Sequence, residues 1–183
     1  MAKSNPLICC VGNLLMMDEG FGPHMAKVLT ERDEALKYVD EAHADQLMSM
    51  FRADEVCPPE GDERTPVLDA GTMGMGLVPW IRRHDRIIVI DIIDCKNPDI
   101  APGSVFTLTP EQMAENTVMH SLHDLRIIDV IGNAALAGYE TEWTCICVQA
   151  KCYEPQDFYI GLSDEVAAAV PVVLGALMEQ LSA

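Results

Sequence analysis

Three stretches of the chain combine an apolar run with side chains able to hold a metal or move a proton. They are Leu7–Gly22 (LICCVGNLLMMDEGFG), Ile87–Cys95 (IIVIDIIDC) and Met119–Val130 (MHSLHDLRIIDV). The first two read as buried strands running into a carboxylate, Glu19 and Asp91. The third presents His120 and His123 at the start of an amphipathic helix. In an open α/β sheet, ligands bind beyond the carboxyl ends of the strands, where the connections diverge to opposite faces. Two carboxylates and an imidazole converging there form a divalent-metal site of mixed oxygen and nitrogen ligands.

Each residue also has a plainer reading. Glu19 is equally an acid favoured by the dipole at a helix N-terminus. Asp91 is harder to dismiss, because an acid after Ile-Val-Ile is poorly solvated and costly to bury without a partner. Of His120 and His123, three residues apart, one suffices as a ligand and the other supports it or faces solvent. His24, His43 and His84 lie in polar surroundings and are expected at the surface.

The elements that must position these groups follow from the apolar pattern. Short runs at Leu7–Val11, Pro66–Asp69, Arg86–Ile93, Gly103–Leu108 and Thr141–Gln149 read as five strands, that at Arg86–Ile93 the most apolar. Phe21, Met25, Val28, Leu29, Leu36 and Val39 recur at helical spacing, predicting a helix to about residue 40. Further helices are expected around Leu77–Arg83, over Asp124–Ala137, and from Ser163 or Asp164 to Leu181. For Asp124–Ala137, Ser121 is the expected N-cap and Gly138 the stop. Pro171 is expected to bend the last helix. Ala53–Thr65, charged and punctuated by Pro and Gly, reads as a surface loop. The alternation of strands and helices predicts a single-domain, three-layer α/β/α fold over residues 1–183. Its sheet is mostly parallel, twisted and about five-stranded, with helices on both faces.

Composition limits the partners. Of the 183 residues 49% are hydrophobic, and the formal charge of −17 opposes binding to nucleic acid. Seven cysteines are an odd number, and Cys9, Cys10, Cys145 and Cys147 lie in apolar runs. They read as buried thiols of a protein in a reducing cytoplasm rather than as disulfides. Cys145-x-Cys147 lacks the second pair that a structural zinc site needs. The opening residues MAKSNP carry no apolar signal segment, and the longest apolar run, Ala167–Met178, is short for a bilayer span. No membrane partner is therefore expected.

Familiar catalytic motifs do not fit. Gly12-Asn13 and the run Gly71–Gly76 lack the spacing of a dinucleotide turn, and no phosphate-loop lysine follows them. There is no Gly-x-Ser-x-Gly elbow and no His-Glu-x-x-His helix.

Five motifs together carry a resemblance. Gly12-Asn13-x4-Asp18-Glu19-Gly20-x-Gly22 resembles the opening motif of the nickel–iron hydrogenase maturation endopeptidases. Asp69-Ala70-Gly71-Thr72 resembles that family's Asp-Gly/Cys-Gly-Thr box, with Ala70 a departure at the second position. Asp91 resembles the second metal-binding acid that ends the family's third strand. His123-Asp124-Leu125 with Asp129-Val130 is similar to its histidine segment, and Gly161-Leu162-Ser163 to its tail motif. The motifs span nearly the whole chain in the family's order.

The resemblance implies a cytoplasmic peptidase, customarily grouped with aspartic-type enzymes. It would remove a C-terminal extension from a nickel–iron hydrogenase large-subunit precursor once the metal centre is assembled. It implies that Glu19, Asp91 and His123, with His120 the alternative, engage nickel carried by the substrate. It also implies that Asp69 and Asp91 are the candidate catalytic acids, and that Gly71 and Thr72 handle the substrate. The branch resembled is that of the coenzyme F420-reducing hydrogenases. No permanently bound cofactor is expected, because three ligands leave positions for the substrate's own ligands; Zn²⁺ or Cd²⁺ also suits this donor set. The alternative is a non-catalytic nickel chaperone or sensor with the same ligands.

Overall fold

The computed structural model describes residues 6–54, 60–115, 120–121, 127–153 and 158–183. The chain runs β1 (Leu7–Val11), a 3₁₀ turn (Met17–Gly20), α1 (Phe21–Thr30), α2 (Arg32–Ala35), α3 (Glu41–Met50), β2 (Phe51–Ala53) and β3 (Thr65–Gly71). A second 3₁₀ turn (Gly74–Leu77) leads into α4 (Val78–Ile81), β4 (Arg86–Asp94), β5 (Val105–Leu108) and α5 (Pro110–Glu115). The remainder is β6 (His120–Ser121), α6 (Ile127–Leu136), β7 (Glu142–Gln149), α7 (Asp164–Ala167) and α8 (Val170–Ser182).

The strands form one sheet in the order β2-β3-β1-β4-β7-β5, with β6 added to β4. Pairs β2/β3, β3/β1, β1/β4 and β4/β7 are parallel, while β5 runs antiparallel to β7 and β6 antiparallel to β4. This is the expected mixed α/β fold, with seven strands among the described residues in place of about five. The two extra strands hold three and two residues, too few for any periodic signal.

Both faces of the sheet are covered, which is why its central strands are apolar without alternation. One face packs Ile8, Cys10, Ile88, Ile90, Ile92, Ile146 and Val148 beneath α1, α3 and α8. The other packs Leu7, Cys9, Ile87, Val89, Ile93, Cys145 and Cys147 beneath α4 and α6. Burying each of these Ile or Leu side chains contributes roughly 1.5–3 kcal/mol.

Local details depart from the expected pattern. The first helix stops at Thr30, whose hydroxyl bonds back to the Ala26 carbonyl at 2.7 Å, and Glu31 is extended at φ −123°. Helix α6 ends as predicted, with Gly138 N–H donating to Ala135 at 3.0 Å and Tyr139 N–H to Ala134 at 3.1 Å. Pro171 breaks the last helix instead of bending it: α7 ends at Ala167 and the proline falls in the first turn of α8, where its missing N–H costs little. The C-terminal stretch Asp164–Ser182 is longer than the apolar run suggested, and by length and composition alone could cross a membrane. In the fold Val166, Val170, Val173, Leu174 and Leu177 bury its apolar side against the sheet. His24 and His84 are half-buried rather than exposed, His24 Nε2 lying 2.8 Å from the Tyr38 hydroxyl. Residues 55–59 of the expected loop lie outside the described residues.

Candidate active site

The topology opens a crevice between β1 and β4. The connection leaving β1 passes through α1 on one face of the sheet, and the connection leaving β4 reaches α6 on the other. Divergence of neighbouring connections is what places ligands at the carboxyl edge of such sheets. Register sharpens the picture: β1 pairs with β4 only from Leu7↔Ile87 to Cys10↔Ile90, whereas β4 continues to Asp94. Asp91 is therefore the first residue of β4 beyond its pairing with β1. The expectation that Asp91 ends its strand is corrected, since three more residues pair with β7 or β6.

Glu19 reaches this crevice because the chain doubles back after β1. Gly12 has φ +154°, and a Cβ there would lie 2.1 Å from the Glu19 carbonyl oxygen, so no other residue fits. Gly12 N–H donates to Gly71 at 2.9 Å, and Asn13 N–H to the Glu19 carbonyl at 3.0 Å. The 3₁₀ turn carrying Glu19 rests against β4, and Glu19 is buried. It precedes α1 directly, so the helix-dipole reading and the ligand reading apply to one geometry.

The turn is anchored by its neighbour Asp18, a residue whose role the sequence motif did not disclose. Its carboxylate is fully buried. Oδ1 accepts the Ser163 N–H at 2.7 Å. Oδ2 accepts Lys151 N–H at 3.0 Å, Cys152 N–H at 2.8 Å and the Ser163 hydroxyl at 2.9 Å. Four donors neutralise the cost of burying this carboxylate and bind the opening motif to the tail motif.

Asp91 is fully buried, its Oδ1 accepting the Ile92 N–H at 2.8 Å. Alternation along β4 sets it on the same face as Val89 and Ile93, in register with Cys147. It lies among thiols: burial and then the Asp91 charge push Cys145 up to about 12 and raise Cys9 as well. Burial, Cys145 and then Asp91 raise Cys147. Protonated thiols are neither nucleophiles nor metal ligands, so these cysteines form an apolar wall behind the carboxylate.

The histidines divide. His120 lies in β6, its backbone in register with Asp94, and not at a helix start. Ser121 is likewise a strand residue opposite Ile93, which corrects its reading as an N-cap. The physical reason is the edge that β1 leaves open by ending before β4 does; β6 fills it. This brings the backbone of His120 and Ser121 to the crevice wall. His123 lies outside the described residues. Among the described residues no group of three His, Cys, Asp or Glu side chains is close enough to hold a metal.

The end of β4 carries a second buried acid. Asp94 Oδ2 lies 2.6 Å from Lys96 Nζ and accepts the Tyr153 hydroxyl at 2.6 Å. Oδ1 accepts Lys96 N–H at 3.0 Å and Gln149 Nε2 at 3.3 Å. Burial works to raise its pKa, but the Lys96, Tyr153 and Gln149 donors outweigh it and hold the carboxyl well below the usual range. A folded pKa below the unfolded one makes the stabilisation complete above about pH 4, and it is lost as pH falls. Asp94→Asn is therefore expected to lower the unfolding midpoint at pH 7 and to narrow its difference from the parent chain toward pH 2, read by thermal melts across that range.

Asp69 behaves differently from Asp91. It is exposed near the carboxyl end of β3, opposite Cys10, which faces the α1 side. Asp69 and Asp91 thus share an edge of the sheet but emerge on opposite faces. A bulge shifts the register from Cys10↔Asp69 to Val11↔Gly71, and Asp69 Oδ1 accepts the Gly71 N–H at 3.2 Å. The box turns away from the strand there, leaving Thr72 exposed.

Fold and crevice together define an α/β protein with buried carboxylates at the carboxyl edge of its sheet. Residues 45–180 match the family model described as hydrogenase maturation protease. The chain belongs to this family and is a peptidase. It is 30% identical over its whole length to the hydrogenase expression/formation protein HoxM of Azotobacter vinelandii, of which it covers 74%. It is 29% identical to the hydrogenase 2 maturation protease of Escherichia coli K12, over 94% of this chain and 90% of that protein. Among solved structures, the hydrogenase maturating endopeptidase HybD from E. coli superposes with a TM-score of 0.66 at 22% identity, over 97% of this chain and 92% of its own. The HybD maturation protease from Thermococcus kodakarensis gives 0.65 at 24%, over 97% and 99%.

Proposed function

We propose that this chain removes the C-terminal extension of a nickel–iron hydrogenase large-subunit precursor after nickel insertion, and that it recognises the bound nickel. The observation that supports the reading is that the 3₁₀ turn of Glu19 rests against β4, the strand of Asp91, and that β6, which leads into the histidine segment, pairs with the same strand. Two carboxylates with one imidazole, His123 or alternatively His120, suit Ni²⁺ without completing its coordination. The missing ligands come from the precursor's own metal centre, so a filled centre is what the peptidase reads. Water adds across the scissile amide to give a carboxylate and an amine, and the acid proposed to serve it is Asp91 or, on the opposite face of the same sheet edge, Asp69. Gly71 and Thr72 present backbone and hydroxyl to the substrate chain.

The whole span 1–183 acts as one hydrogenase-maturation-protease-like domain in this reading, in a cytoplasm that keeps its thiols reduced. The coenzyme F420-reducing hydrogenases are proposed as the substrate branch, on the overall resemblance of the chain.

The test is incubation of the purified protein with precursors of several hydrogenase classes, each nickel-loaded or nickel-free, followed by mass spectrometry. Release of the C-terminal peptide from the nickel-loaded form alone is expected. Cleavage of nickel-free precursor at an undiminished rate overturns nickel recognition, and nickel transfer without cleavage makes the protein a chaperone.

A further inference from the structure

Beside the crevice the chain exposes a short apolar edge. Leu15, Phe158, Tyr159 and Ile160 are all exposed, Phe158 at 79% and Ile160 at 65%. Such residues close together in a chain of charge −17 stand out from the acidic surface around them.

The backbone there is already half of a ladder. Met16 and Tyr159 form a parallel bridge, in which Tyr159 N–H donates to Leu15 at 2.9 Å and Met17 N–H donates to Tyr159 at 3.0 Å. In an extended chain successive residues point their N–H and C=O groups to alternate sides. With both Tyr159 groups spent on the Leu15–Met17 side, those of Phe158 and Ile160 face the other way. Among the described residues neither makes a backbone hydrogen bond. The edge is also held rigid. The Tyr159 ring lies over Gly161, where a Cβ would stand 2.9 Å from it, and two residues on Ser163 is tied to the Asp18 carboxylate. Its far side joins Met16 and Met17, directly ahead of Asp18 and Glu19.

We infer that Phe158–Ile160 is a docking strand that receives an extended, apolar segment of the precursor polypeptide by β-addition and feeds it toward Glu19. Main-chain hydrogen bonds to Phe158 and Ile160 supply register, and the apolar side chains supply affinity. The excess of 29 acidic over 12 basic residues selects against a segment of negative charge. The inference rests on the proposed function for the identity of the partner.

The double variant Phe158→Asp/Ile160→Asp separates the two ideas, with Leu136→Asp as control, since Leu136 is equally apolar and exposed at the end of α6. With nickel-loaded precursor as substrate, the double variant is expected to raise KM at least tenfold with kcat within twofold of the parent, and the control to change neither. Hydrogen exchange on the parent protein reads the backbone directly: the Phe158 and Ile160 amides are expected to slow at least tenfold in the precursor complex. A parent-like KM in the double variant, or unprotected amides in the complex, overturns the docking strand and leaves the peptidase reading standing. Protection that depends on this chain's own concentration, without precursor, also overturns it by making a second copy the occupant. Protection by a precursor that is bound but never cut supports the strand and overturns the peptidase reading instead.

Discussion

Asp91→Asn is expected to abolish the proposed processing of the nickel-loaded precursor, by roughly a thousandfold or more, and to leave the protein folded. Asparagine matches the shape of the carboxylate and keeps the oxygen that accepts the Ile92 N–H. The loss is therefore one of charge, not of packing. The carboxyl group sits fully buried beside protonated thiols on an apolar face, where burial of an acid is costly. The variant should still melt cooperatively as a folded protein. The thiols supply an internal check: the Asp91 charge helps to raise Cys145 and Cys9, so both should titrate lower in the variant, although burial keeps them above the free value. Peptide release read by mass spectrometry, beside thermal melts, decides the matter. A folded Asp91→Asn protein that cleaves at the parental rate makes Asp91 merely structural.

Asp18→Ala is the substitution with the largest expected effect on stability. It leaves the Lys151, Cys152 and Ser163 N–H groups and the Ser163 hydroxyl without their acceptor. The two buried Ser163 donors cost about 1–3 kcal/mol each when stranded and the part-buried Lys151 and Cys152 N–H groups less, so a loss of about 3–5 kcal/mol is expected. For a domain of ordinary stability, about 5–15 kcal/mol, that is a fifth or more of the total. Asp18→Asn should cost less, about 1–3 kcal/mol, because one oxygen still accepts while the amide nitrogen meets at least one N–H head-on. Ser163→Ala, which removes a single hydroxyl donor, should cost about 1 kcal/mol. Urea unfolding of the three variants reads the ranking directly. Ser163→Ala as damaging as Asp18→Ala would mean that the hydroxyl, and not the carboxylate, holds the two motifs together. Because Glu19 is the next residue in the same turn, activity should fall along the same series even where the fold survives.

Much of this protein is legible along the chain. Apolar runs bounded by Gly, Pro and Asn announce β1, β3, β4 and β7, because a strand buried on both faces has to be apolar throughout, and turn residues on either side mark the shorter edge strand β5. Gly138 ends its helix where the local pattern says it must. Glu19 and Asp91 stand out for a related reason: an acid joined to an apolar strand is expensive unless it has work to do. The Asp69–Thr72 box is equally visible as a turn after a strand.

The tertiary structure decided the rest, wherever the cause lies far away in sequence. Strand β6 exists only because β1 stops pairing at Ile90 while β4 runs on, leaving an edge that two residues can fill. The histidine segment is consequently entered as a strand, although its composition reads as helical. Asp69 and Asp91 share the sheet's carboxyl edge but leave it on opposite faces, a matter of strand parity and register that spacing along the chain does not carry. The carboxylate of Asp18 finds its partners 133 to 145 residues away. Local sequence determines which segments are strands and helices, because backbone preference and apolar period act over a few residues. Which edges pair, which face an acid meets and which distant donors satisfy it are settled only when the layers pack.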